Sequence, residues 1–78
     1  MTEAKKDAIR ALAAAKEIVD GRNRPEASAI LMTLEHTIAT VLLSVYPNPK
    51  IALGMLNEAL VQGVEARISL FETGKYPI

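Results

Sequence analysis

Glu35 and His36 are the one carboxylate and the one imidazole of Ala27–Tyr46, so any chemistry in this stretch begins with them. A carboxylate beside an imidazole suggests general acid–base catalysis or a share in a metal site. Helix geometry separates the pair, because adjacent helical residues point about 100° apart and do not converge on one atom. A di-iron bundle site needs Glu-x-x-His, repeated on another helix. This chain has Glu and His in direct succession and a single His. A phosphoaccepting helical His is followed closely by Lys and Gly, whereas here the chain continues Thr37-Ile38-Ala39-Thr40. The plain reading of His36 is an imidazole bonded to a neighbour such as Thr40 or left in solvent.

Other chemistry has less to work with. The chain has no cysteine, which removes thiolate catalysis, disulfides and Cys-based zinc sites. Helical dimers that act on a dianion hold it with several inward Arg and Lys residues, and Arg67 is the one candidate here. No catalytic residue, metal or cofactor is expected, and the protein reads as a non-enzyme. Nor is nucleic acid an expected partner. Lys and Arg balance Asp and Glu at nine each, and no glycine-rich phosphate loop or basic–aromatic interleaving is present. Glu58, Glu65 and Glu72 recur every seven residues, which is the usual mark of a solvated helix face.

The elements that position these residues are helical. Abundant Ala and Leu, few aromatics and no strand-like alternation favour helix throughout. Asp20-Gly21-Arg22-Asn23-Arg24-Pro25 stops one helix and restarts another, since Gly21 suits the left-handed C′ position and Pro25 a first turn. Tyr46-Pro47-Asn48-Pro49 is the second break, with Asn48 as N-cap and Pro49 at N1. Thr73-Gly74 is a third stop, before the tail Lys75-Tyr76-Pro77-Ile78. The expected architecture is a single all-α domain over 1–78, with three helices at about 3–20, 25–46 and 49–73.

The first helix is one-sided: Ala4, Ala8, Ala11, Leu12, Ala15, Ile18 and Val19 share an arc of about 120°. The second has a broad apolar face (Ile30, Leu31, Leu34, Ile38, Val41, Leu42, Val45) and a further stripe of Met32, Ala39 and Leu43. Glu35 and a Thr33/Thr37/Thr40/Ser44 line separate the two. The third pairs a small-residue seam (Ala52, Leu56, Ala59, Gly63, Ala66, Leu70) with an apolar line through Leu53, Leu60, Val61, Val64, Ile68 and Phe71. Gly63 mid-helix costs about 1 kcal/mol against Ala, which suggests a packing reason for it.

A three-helix monomer needs one inward stripe per helix, so the surplus predicts self-association. A single core in a chain of 78 residues rarely supplies more than ~3–5 kcal/mol without disulfides, metal or a partner subunit. A homodimer is the commonest closed solution. Antiparallel packing would put Glu35 level with Leu60 and about 10 Å from the level of Arg67. The expectation is that Glu35 pairs with Arg67 or another base across an oligomer interface, or lies at its wet rim.

The functional expectation is a helical oligomerisation or protein-interaction module. Its interface candidates are Met32, Glu35, Ala39, Leu43, Ala52, Leu56, Ala59, Gly63, Ala66, Arg67 and Leu70. The alternative is a small-molecule-binding bundle whose pocket lies near His36, Thr33, Thr37 and Thr40. A charged N-terminal segment without a leader pattern suggests a cytoplasmic protein. Glu35 and the scattered Thr and Ser residues speak against a membrane span over Ala27–Tyr46.

Overall fold

A computed structural model describes residues 2–74. Of the described residues 86% are helical, and they form three helices, as expected. Helix α1 runs Glu3–Val19, and Thr2 caps it through its side chain, which accepts from Lys5 N. Lys6–Glu3 and Arg10–Asp7 pair along its surface at 3.4 and 2.8 Å. Such exposed pairs contribute at most a few tenths of a kcal/mol.

The first break closes on two left-handed residues rather than one. Asp20 (φ 48°) caps α1 with its N–H on Lys16 O, and Gly21 follows at φ 70°. Asp tolerates this region better than most side chains because its short polar group bonds locally. A 3₁₀ turn, Arg24–Glu26, carries Pro25 and leads into α2, Ala27–Val45. The expected second helix at 25–46 is therefore a 3₁₀ start on a slightly shorter α-helix.

The second break matches its expected form. Asn48 Oδ1 accepts from Lys50 N at 2.9 Å and Ile51 N at 3.4 Å, and Pro49 opens helix α3, Pro49–Met55. The third helix, expected at about 49–73, is a continuous helical rod over 49–72 whose winding changes midway. A π-helical turn, Leu56–Leu60, separates α3 from α4, Val61–Glu72. Thr73 caps α4, and Gly74 (φ 73°) turns the chain out of the helix. The tail at 75–78 lies outside the described residues.

The π turn has a local cause. Asn57 Nδ2 donates to Leu53 O one turn back, at 2.9 Å, while the Leu56 N–H is shared between Ala52 O and Leu53 O. Asn competes for backbone carbonyls in this way more readily than a hydrocarbon side chain. With the Leu53 carbonyl so engaged, the helix widens by one residue, and the regular ladder resumes after Val61 N–H reaches Leu56 O.

The chain divides into two compact units, Met1–Thr37 and Ile38–Ile78, with the division falling inside α2. In the first unit no described residue is buried, and Ile18, Arg22, Ile30, Thr33 and Thr37 are half-buried. In the second, Ala52 is buried at 6% exposure, and Leu42, Tyr46, Met55, Leu56 and Leu60 are half-buried. Sixteen large apolar side chains among the described residues are exposed, Met32, Ile68 and Phe71 at 59% each.

Candidate functional site

The first unit holds a polar clamp that the sequence did not announce. Arg22 follows the C-terminus of α1 and folds back over it: Nη2 donates to Ile18 O at 2.6 Å and Nε to Val19 O at 3.1 Å. Nη2 also reaches across to Thr33 Oγ1 on α2 at 3.1 Å. A guanidinium here meets the carbonyls a helix end leaves unpaired and the negative end of its dipole. In the sequence Arg22 reads as part of the break between two helices, and here it ties that turn together.

The hydroxyl line of α2 is largely satisfied by its own backbone. Thr33 Oγ1 donates to Ala29 O at 3.1 Å, Thr37 Oγ1 to Thr33 O at 2.8 Å and Ser44 Oγ to Thr40 O at 2.7 Å. His36 and Thr40 are likewise engaged in interactions. Hydroxyls bonded one turn back need little from water, so this line tolerates cover by an apolar neighbour. It is correspondingly less available to a ligand.

The remaining α2 candidates lie open. Met32, Glu35, Ala39 and Leu43 are all exposed. The ion pairs among the described residues are the two on α1, and Glu35 belongs to neither. No cluster of three or more metal-ligating side chains occurs among the described residues. Helix Arg24–Val45 is long and apolar enough to cross a membrane, by length and composition, and none of its most apolar stretch is buried.

The second unit contains a groove of about 490 Å³. Leu42 and Tyr46, at the end of α2, form one wall. Met55, Ala59 and Leu60, at and beside the π turn, form another, and Gly63, Val64 and Arg67 of α4 complete it. A Cβ built on Gly63 would meet Arg67 Nη1 at 3.5 Å, an ordinary contact, so the chain alone leaves room for Ala there. Arg67 Nη1 donates to Gly63 O at 3.2 Å, which lays the guanidinium along the groove.

The small-residue seam is thus divided. Ala52, Leu56 and Gly63 are buried or half-buried, Ala59 is exposed but lines the groove, and Ala66 and Leu70 are exposed. Neither Thr33 nor His36 lines the groove, and Leu42, Tyr46, Met55 and Val64 were not singled out from sequence as site residues. The one sequence signal for it is Gly54 and Gly63 bracketing Asn57, three poor helix formers around the π turn. No protein-family model matches the chain, and neither curated proteins nor solved structures are found to be similar.

Proposed function

We propose that the chain is a small, non-enzymatic helical oligomerisation and interaction module that covers its apolar faces with a second copy of itself. The supporting observation is the exposure of Leu31, Met32, Val41, Leu43 and Val45 on α2, together with Leu53, Ile68, Leu70 and Phe71 on the third rod. Soluble monomers rarely leave contiguous apolar faces open. Covering a large apolar side chain yields about 1.5–3 kcal/mol, and the self-bonded hydroxyls of α2 remove the polar objection to covering it. A homodimer is the simplest closed form. A cytoplasmic setting, without a membrane or nucleic-acid partner, belongs to the same reading.

The test is native mass spectrometry of the purified chain over a concentration series. A dimer or higher closed oligomer without added mass is expected. A folded monomer throughout the series overturns the reading. Binding to lipid vesicles in place of self-association would assign Arg24–Val45 to a membrane instead.

A second reading has one observation in its favour. The groove's volume lies in the range of small-molecule sites, about 300–1,000 Å³, so a ligand-binding bundle is supported there better than near His36, Thr33 and Thr40. It would show as a discrete added mass, and as stabilisation of about 2.7 kcal/mol at 100 times Kd of the molecule responsible.

A further inference from the structure

We infer that the groove of the second unit receives α2 of a second copy, with the partner's Glu35 meeting Arg67. The inference rests on the self-association reading and adds to it a site that neither copy completes alone. Its basis is charge complementarity between two otherwise apolar surfaces. Arg67 is the charged residue among those lining the groove. Glu35 is the carboxylate of α2, exposed and outside both ion pairs of the described residues.

The shape of each surface agrees. At 100° per residue, Met32, Ala39 and Leu43 lie within an arc of about 40°, and Glu35 flanks them by about another 40°. All four are exposed, so this strip of α2 is open to a partner. In the groove, Ala59 and Gly63 keep the side chains low, which lets a helix backbone approach closely. A wholly apolar groove would reject this strip, because a carboxylate stripped of water and left unpaired is heavily disfavoured. A guanidinium at the groove removes that objection. The bond from Arg67 Nη1 to Gly63 O leaves most of its five N–H donors for a carboxylate. A two-fold axis would form the contact twice, each copy giving one α2 and one groove.

The experiment uses two full-length variants, Glu35→Arg and Arg67→Glu, alone and mixed, read by native mass spectrometry with helicity followed by circular dichroism. Each variant alone sets like charges against each other at both contacts and should weaken its dimer about tenfold or more. Mixed, the two chains restore an opposite-charge pair at both contacts, one as in the wild type and one with the signs exchanged. Heterodimers should therefore exceed the statistical half and bind within about threefold of the wild type. A pair formed within one chain gains nothing from mixing. A wild-type dimer with no recovery in the mixture, or with unaffected single variants, overturns this inference while the self-association reading stands. A wild-type monomer overturns both.

Discussion

Helix α1 presents Glu3, Lys6, Asp7, Arg10 and Glu17 to solvent and, Ile9 apart, keeps its larger apolar groups to one arc. Helix α2 carries Glu35 and His36 among nineteen residues and has apolar side chains on more than one face. Both are largely exposed in the isolated chain, yet exposure has a different consequence for each. For α1 it is closer to an ordinary state: the charges are hydrated, the alanines forfeit little by staying wet, and the exposed large apolar groups are three, Ile9, Leu12 and Val19. For α2, leaving Leu31, Met32, Val41, Leu43 and Val45 open forgoes stabilisation on the order of 5 kcal/mol. That sum is comparable to the whole stability of a small domain. Amphipathicity, rather than length or helix propensity, decides which helix can stand uncovered.

The largest expected effect comes from putting a charge on each helix in turn. Leu43→Asp places a carboxylate in the outer strip of α2, where the isolated chain would tolerate it at the surface. In the associated protein it should weaken binding about a hundredfold, equivalent to about 2.8 kcal/mol. Ala14→Asp makes the same kind of change on α1 and should stay within about 0.5 kcal/mol of the parent in both folding and association. Sedimentation equilibrium on the pair checks this, and equal effects at both sites would remove the distinction between the helices.

Next in size is the clamp that joins the two helices locally. Arg22→Ala removes bonds to two helix-end carbonyls and to Thr33 Oγ1. Hydrogen bonds from a charged, half-buried donor are worth about 1.5–3 kcal/mol, so a loss of about 2 kcal/mol is expected. In a chain this size that lowers Tm by about 10 °C. Because Arg22 is no part of the apolar strips, dissociation at fixed temperature should barely change. Thermal unfolding and a binding isotherm on one variant separate the two quantities.

What could be read in advance divides along the same physical line. Gly21, Pro25, Pro47, Asn48, Pro49 and Gly74 act through dihedral limits and their own short-range bonds, and each punctuates the chain where its chemistry requires. Helix type and number followed from them and from the periodicity of the apolar residues. Arg22 was not legible, because its partners depend on a turn that brings Thr33 within reach eleven residues away. The π turn was not legible either: Asn57 can solvate its amide or give it to Leu53 O, and periodicity does not choose between them. The groove follows from that winding and from the end of α2, so Leu42, Tyr46 and Met55 were invisible as a set.

The local side of this division has its own test. Asn48→Ala removes the side-chain acceptor from Lys50 N and Ile51 N and should cost about 1 kcal/mol in urea unfolding. Asn48→Asp should retain most of that amount, since a carboxylate also accepts at a helix N-terminus and favours the dipole. Equal losses for the two variants would mean that Asn48 acts through its backbone conformation instead of its amide oxygen.

The smallest expected change is the most discriminating, because its two parts have opposite signs. Gly63→Ala puts a methyl group where the chain alone offers only Arg67 Nη1, at 3.5 Å, so nothing has to move. Replacing a mid-helix glycine then stabilises the folded chain by about 0.5–1 kcal/mol. If a partner helix lies in the groove, the same methyl holds it away from the floor, and the loss of close packing weakens association. Urea unfolding below the dissociation constant measures the first part, and a binding isotherm the second. A gain in stability with a loss in association identifies Gly63 as a position where helix propensity is given up for close approach. A gain in the first with no change in the second leaves the groove outside the interface and moves the contact to the outer strips of α2 and the third rod.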